Sequence, residues 1–143
     1  MLLSTLAALA LAQAPGTCTI RSATGVAFGS YDPIGANAVT PRDATGQIRY
    51  SCRGTAPPVI GLSAGRSGTY SPRAMRAGTS TLPYNLYRDA ARAQVWGDGS
   101  AGTSTVVGST GRNRRLVVYG RIPPGLVAPA GAYADTIVAT FNF

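Results

Sequence analysis

The residue types that most often carry catalysis are scarce in this chain of 143 residues. It has no His, its 13 basic residues are all Arg, and its five acidic residues are all Asp. Without His there is no Ser-His-Asp or Cys-His catalysis and no Cys/His zinc site. Without Lys there is no P-loop lysine and no Schiff base. The composition therefore predicts a protein that is not an enzyme and that binds no cofactor.

The Asp residues are placed for turns rather than for chemistry. Asp32, Asp43, Asp89 and Asp98 all lie beside turn-forming residues, where Asp commonly bonds to the backbone. Asp98 follows Trp96 in a Trp-Gly-Asp-Gly-Ser run, which offers one carboxylate where a calcium loop needs several. We expect a β-turn next to a packed Trp96, and no metal site.

Residues 1–14 are uncharged and rich in Leu and Ala. They end in two patterns of small residues that favour cleavage after Ala12 or Ala14, although no Lys or Arg precedes the apolar run. The run is too short to span a membrane, for which about 20 residues are needed. We interpret residues 1–14 as a secretory signal peptide and residues 15–143 as one domain, with a hydrophobic strand or helix of the mature fold as the alternative.

The chain has two cysteines, Cys18 and Cys52, and both follow the predicted leader. In an exported protein an isolated pair typically forms a disulfide. If the chain is not exported, two buried thiols are the better interpretation. Two thiolates without His are a poor metal site.

The formal net charge of +8 comes from arginines scattered between Arg21 and Arg121. One cluster, formed by Arg112, Arg114 and Arg115, falls in a turn-rich region and is interpreted as a solvated loop. A nucleic-acid-binding surface should combine a basic stripe with aromatic residues for stacking. We therefore expect no nucleic acid as partner. An acidic surface such as lipopolysaccharide or extracellular polysaccharide suits the charge better.

Turn residues recur at short intervals, and the runs between them have strand character. Alternation is clearest near the C terminus, where Tyr133, Ile137, Phe141 and Phe143 share one face. Only residues 88–95 could form a helical turn. The predicted strands are 17–28, 46–52, 59–63, 82–87, 115–122 and 133–143. This pattern predicts an all-β chain folded as a two-sheet sandwich.

A series of short motifs extends from Cys18 to Phe143. In chain order they are Cys18-Thr19-Ile20, Phe28-Gly29-Ser30-Tyr31-Asp32-Pro33, Gly46-Gln47-Ile48, Gly61-Leu62-Ser63-Ala64-Gly65, Arg73-Ala74-Met75, Tyr84-Asn85-Leu86-Tyr87-Arg88-Asp89, Trp96-Gly97-Asp98-Gly99, Tyr119-Gly120-Arg121-Ile122-Pro123 and Gly131-Ala132-Tyr133-Ala134-Asp135. Their order and spacing resemble the spore coat protein U/FanG-type domain.

The resemblance implies a secreted subunit of Csu-type archaic chaperone–usher pili, which passes through the periplasm to the cell surface. Such a subunit has an immunoglobulin-like sandwich without its final strand, so two strand edges need a partner strand. The implied partners are a periplasmic pilus chaperone, an outer-membrane usher and other pilin subunits. A role in a spore coat stays open.

The resemblance also assigns residues. It makes Cys18 and Cys52 the family disulfide between the first two strands. It places the edge of the chaperone and donor-strand groove on the terminal strand, with Tyr133, Ile137, Ala139, Phe141 and Phe143. It suggests a surface-contact loop with Ile122, Leu126 and Val127, for which a Pro-rich strand connection is the alternative.

One feature departs from the pilin pattern. Cleavage after Ala14 leaves three residues, 15–17, before Cys18, and these span about 10 Å, too little for a donor strand. We expect a subunit that accepts a strand without donating one, at the fibre tip or outside a fibre, unless the true start lies upstream of Met1. The alternative function is a self-complete secreted sandwich that binds polysaccharide or coats a surface.

Overall fold

The computed structural model describes the backbone of residues 2–6, 10–13 and 18–142, and the side chains of residues 18–142. Within these residues the chain forms twelve β-strands and no helix. The first six strands are β1 (Leu2–Leu6), β2 (Ala10–Gln13), β3 (Cys18–Thr24), β4 (Ala27–Tyr31), β5 (Arg42–Cys52) and β6 (Val59–Leu62). The other six are β7 (Arg73–Ala77), β8 (Ser80–Tyr87), β9 (Val106–Val107), β10 (Gly111–Ile122), β11 (Ala132–Asp135) and β12 (Val138–Asn142). In the same ranges, no helical segment could cross a membrane.

The strands form two sheets around one hydrophobic core, which confirms the predicted all-β sandwich. The larger sheet has the order β3-β5-β10-β8-β7-β11-β1-β4, and the smaller has the order β2-β12-β6-β9. β3 and β4 lie at opposite ends of the larger sheet, yet the chain between them crosses only Gly25 and Val26. Three Cα steps span at most about 11 Å. The larger sheet must therefore curl until its two ends approach each other.

The inward faces of the strands follow the alternation expected of half-buried strands. In β8, Leu82, Tyr84 and Leu86 are fully buried, as the alternating sequence predicts. Aromatic rings join distant strands across the core: Tyr50 meets Phe141 edge-on at 5.3 Å between centroids. Such pairs stabilise a core beyond the apolar area that they bury.

Trp96 is the anchor that the sequence predicts. Its side chain is completely buried, and its indole N–H donates a 2.9 Å hydrogen bond to the carbonyl of Ile60 on β6. The following turn is closed by Asp98, whose carboxylate accepts the backbone N–H of Ser100 at 2.9 Å. The hydrogen bond from Trp96 to Ile60 thus attaches the 95–104 segment to the smaller sheet.

Several boundaries differ from the sequence prediction. The predicted strand 17–28 is two strands, β3 and β4, which occupy opposite ends of the larger sheet. The predicted strand 133–143 is also two strands, because the chain passes from the larger sheet to the smaller one between β11 and β12. Residues 88–95, which could have formed a helical turn, form a non-helical turn instead. In this turn the Asp89 carboxylate accepts hydrogen bonds from the N–H groups of Ala93 and Gln94.

β7 was not predicted because its inward positions are Arg73 and Met75, which do not form an apolar alternation. The predicted leader also contains the two strands β1 and β2 in this chain. β1 pairs with β11 and β2 pairs with β12.

Candidate functional site

The site is a strand position in the larger sheet between β11 and β4. β1 occupies it, running parallel to β11 from the Leu3–Ala132 pair to the Leu6–Asp135 pair. On its other side β1 runs antiparallel to β4 and begins with the Leu2–Tyr31 pair. Among the described residues, β4 forms a ladder with β1 alone. The end strand β4 is therefore attached to the rest of the larger sheet through β1.

The same N-terminal segment also borders the smaller sheet. β2 runs parallel to β12, and the paired positions extend from Val138–Ala10 to Phe141–Gln13. β1 and β2 thus accompany β11 and β12 in the same direction, one in each sheet. Residues 2–6 thus pair with β11 in the larger sheet, and residues 10–13 pair with β12 in the smaller sheet.

The residues predicted to line the groove lie on one inward face. Tyr133 on β11, Ile137 between the strands, and Ala139 and Phe141 on β12 are all fully buried. Phe143 lies outside the described residues. The four described side chains thus belong to the buried core beside β1 and β2, and their assignment to a chaperone or donor strand stays a prediction.

Asp135 is a fifth residue of this inward face, and it is not among the groove residues predicted from the sequence. It is two positions from both Tyr133 and Ile137, and it is completely buried. Its carboxylate accepts hydrogen bonds from the Tyr84 hydroxyl at 2.5 Å and from the backbone N–H of Arg66 at 2.9 Å. Its place in the period-2 pattern of the terminal segment was the signal that could have found it.

The Tyr84 phenol responds to the same surroundings. Burial raises its pKa far above the ordinary value, and the hydrogen bond to the Asp135 carboxylate raises it further. The phenol therefore keeps its proton and serves as a fixed hydrogen-bond donor. The hydrogen bond from Tyr84 holds the Asp135 carboxylate in place. Both groups are completely buried, so neither is exposed to a substrate as an acid or a base.

Arg73 is a second buried polar residue that the sequence did not reveal. Its guanidinium donates to the Ser63 carbonyl at 2.8 Å, to the Trp96 carbonyl at 2.6 Å and to the side-chain oxygen of Asn85 at 2.9 Å. It also lies over the Tyr70 ring, 4.9 Å from the centroid. Burial lowers the pKa of the Arg73 guanidinium. Arg73 on β7 of the larger sheet thus bonds to the carbonyl of Ser63, which follows β6 of the smaller sheet, and so links the two sheets.

The predicted disulfide between Cys18 and Cys52 is present, and the described residues contain no free cysteine. The two residues are directly opposite each other on β3 and β5. They are not on consecutive strands, because β4 comes between β3 and β5 in the sequence. The disulfide therefore ties the end strand β3 of the larger sheet to its neighbour β5.

The predicted surface-contact loop is only partly exposed. Ile122 is fully buried and Leu126 packs partly against the core, whereas Val127 is 84% exposed. The neighbouring loop contributes two more apolar side chains, Ile34 at 86% and Val39 at 88% exposure. A hydrogen bond of 2.8 Å from the Gly125 N–H to the Asn37 carbonyl joins the loops. Ile34, Val39 and Val127 form what we call the apolar loop end, and surface contact there stays a prediction.

The fold and the site together define a class of protein: an all-β sandwich whose curled larger sheet takes up an extended segment between β11 and β4. The spore coat protein U domain matches residues 3–140, so the chain belongs to that family. Among curated relatives it is similar to Protein U of Myxococcus xanthus. The two are 36% identical over 145 residues, which cover 92% of this chain and 80% of the relative.

The fold is also similar to that of a chain in a solved complex. This is the CsuC–CsuE chaperone–tip adhesion subunit pre-assembly complex from the archaic chaperone–usher Csu pili of Acinetobacter baumannii. The TM-score is 0.58 at 21% identity, and the match covers 88% of this chain. This chain spans only 39% of the matched chain. The likeness shows that the two chains share a β-sandwich fold.

Proposed function

We propose that this protein is a non-enzymatic, exported subunit of a chaperone–usher pilus, and that a β-strand from another chain completes its sandwich. The observation that carries the proposal is the ladder of β4 with β1, since β1 comes from the segment that has the composition of a secretory leader. Membership of the spore coat protein U family and the pilin-type fold support it.

Cleavage of the leader would open the groove. If residues 1–12 or 1–14 are removed, β1 is lost entirely, and β4 and β11 lose the strand between them. Unpaired N–H and C=O groups on both edges would then promote aggregation. A partner strand restores these hydrogen bonds by β-augmentation, and alternate side chains entering the groove give specificity.

The direction of β1 indicates how a partner strand would lie. β1 and β2 run parallel to β11 and β12, so a strand that replaces them in the same direction pairs in parallel with the terminal segment. By analogy with the Csu complex, we propose that a periplasmic chaperone supplies this strand first. An outer-membrane usher would then exchange it for a strand of another subunit.

The position in the fibre follows from the proposed processing. A form cleaved after Ala14 keeps residues 15–17 before Cys18, which is too short for a donor strand. We place such a form at the tip, where the apolar loop end of Ile34, Val39 and Val127 can contact a surface. N-terminal sequencing of exported protein tests this position, and ten or more residues before Cys18 would contradict it.

A second candidate function is a self-complete secreted sandwich in a coat. One observation favours it: residues 2–6 of the chain itself already fill the position between β11 and β4. In this case the N-terminal segment would be retained and no chaperone would be needed. The two candidates therefore predict different N termini.

The deciding experiment expresses the full chain in a bacterial periplasm with and without a co-expressed chaperone of the archaic chaperone–usher type. We expect a mature N terminus at Gln13 or Pro15, a soluble one-to-one complex with the chaperone, and aggregation without it. Amide hydrogen exchange should show that residues 27–31 and 132–142 are protected in the complex. A soluble, uncleaved monomer without chaperone would contradict the pilin function and support the self-complete one.

A matched pair of variants locates the groove. Ala139 faces inward on β12, whereas its neighbour Thr140 lies on the opposite face. We expect Ala139→Arg to abolish recovery of the chaperone complex and Thr140→Arg to leave most of it. Equal recovery of both variants would show that the chaperone binds elsewhere.

A further inference from the structure

We propose that the outer face of β3, β5 and β10 binds an acidic polysaccharide along a basic track that begins beside the disulfide. This inference does not depend on strand completion, because no residue of the track lies on β4, β11 or β12. The basic track begins at a pocket of about 390 Å³. Its side chains include Arg21, Arg53, Arg112, Thr19, Ser51 and Asn113.

The charge of this pocket is not compensated by acidic residues. Among the described residues, the ion pairs of arginine involve one carboxylate, that of Asp43, with Arg92 and Arg121. Asp43 is on the same strand as Cys52 but nine residues away, about 30 Å along an extended chain. That distance is several Debye lengths at physiological salt. Three exposed guanidinium groups thus border one pocket whose lining has no acidic residue, and none of the three forms an ion pair among the described residues.

The track continues along β5 away from the disulfide. Arg49 lies directly opposite Arg115 of β10, and both side chains are exposed. Like charges in directly opposed positions destabilise a sheet. Beyond them, a second pocket of about 230 Å³ is bordered by Arg115, Gln47 and Thr24. Both pockets lie on the same face because Gln47, Arg49 and Ser51 alternate with the buried positions of β5.

The shape and chemistry of the track fit a linear polyanion. Residues 45–53 span about 26 Å of extended chain, long enough for several sugar units. Guanidinium groups bind carboxylates in bidentate fashion, and the Thr, Ser, Gln and Asn side chains can bond sugar hydroxyls. Neither pocket is lined by an aromatic side chain that could stack on a base. These properties favour an acidic polysaccharide over a nucleic acid.

The test measures binding of the full chain to polygalacturonate, with neutral dextran and single-stranded DNA as comparators. We expect saturable binding to polygalacturonate that weakens as salt rises, and none to dextran. The triple variant Arg21→Gln, Arg53→Gln, Arg112→Gln should raise Kd at least tenfold. The control variant Arg66→Gln, Arg76→Gln, Arg88→Gln has the same net charge but alters exposed arginines outside the track, and its Kd should stay within about twofold of that of the unmodified protein.

Three results would overturn the proposal. Equal loss of affinity in both triple variants would show that only net charge matters. Binding to dextran as tight as to polygalacturonate would show that the arginines are not involved. Tighter binding to single-stranded DNA through the same three arginines would assign the track to nucleic acid. Circular dichroism of both variants should match that of the unmodified protein, since all six side chains are exposed.

Discussion

The hydroxyl of Tyr84 donates a 2.5 Å hydrogen bond to the carboxylate of Asp135, a residue 51 positions later in the chain. Asp135 ends β11, and its carboxylate also accepts the backbone N–H of Thr136 at 2.9 Å. The bond therefore holds the point at which the chain leaves the larger sheet for the smaller one. Since β11 and β12 both border the candidate groove, this buried pair positions the groove itself.

Replacing Tyr84 with Phe should destabilise the protein. The change removes one donor from a buried carboxylate, and hydrogen bonds to charged groups contribute about 1.5–3 kcal/mol. We expect the free energy of unfolding in urea to fall by that amount at pH 7. Tyr87→Phe is the matched control, because Tyr87 is half-buried and lacks such a bond to a carboxylate; a similar loss there would contradict the assigned role.

The raised pKa of Tyr84 predicts a loss of stability in alkali. The ordinary value is 10.0, and burial, the largest cause, favours the neutral phenol in the folded protein. The resulting stability is fully present below about pH 10 and is lost at higher pH, where the unfolded chain ionises first. Between pH 8 and 11.5, the free energy of unfolding should decline less steeply in Tyr84→Phe than in the unmodified protein. An unchanged slope would show that Tyr84 does not contribute.

Substitution of Arg73 should lower the stability of the protein, although Arg73 is charged. Arg73→Met would leave the Ser63 and Trp96 carbonyls without their buried donor, and we expect a loss of about 3 kcal/mol or more. Arg73→Lys should recover only part of this, since an ammonium lacks the planar fork. Arg76→Met, exposed on the same strand, should stay within about 0.5 kcal/mol in chemical denaturation. Equal losses at both positions would contradict the role of Arg73.

Removing the disulfide should lower stability without changing the fold. Cys18 and Cys52 are separated by 34 residues, for which the chain-entropy estimate is about 3–4 kcal/mol. Thermal unfolding of Cys18→Ser/Cys52→Ser should match that of the unmodified protein under reducing conditions and should not respond to reductant. Mass spectrometry of exported, non-reduced protein should find the link; two free thiols would contradict it.

The ion pair of Asp43 with Arg121 should contribute modestly to the free energy of unfolding, and only above acidic pH. Arg121 donates to both of its carboxylate oxygens, at 2.7 and 2.9 Å, and holds the pKa of Asp43 below its ordinary value of 3.8. The stability is present above that value and is lost as the pH falls below it. Because the pair is partly exposed, Asp43→Asn should cost at most about 1 kcal/mol at pH 7. The difference should vanish near pH 2; a larger difference in acid would reverse the assigned sign.

The local pattern of the sequence was sufficient for much of the fold. Alternation in Leu82, Tyr84 and Leu86 predicted which face of β8 is buried, because side chains along a strand point to opposite faces. The Gly-Asp-Gly run predicted the turn beside the buried Trp96. These features depend on neighbouring residues, so they can be recognised before any strand is paired.

The partners of these strands were decided by the tertiary structure. The inward positions of Arg73 and Asp135 break the apolar pattern, and they are tolerated because distant residues such as Trp96 and Tyr84 supply hydrogen-bond partners. The place of β1 between β11 and β4 depends on residues more than 100 positions apart in sequence. Composition and alternation therefore determined the class of fold and the buried faces, whereas the strand position between β11 and β4 became visible only when the pairing of the strands was known. The physical reason is that side-chain direction is local, whereas hydrogen-bond pairing between strands is not.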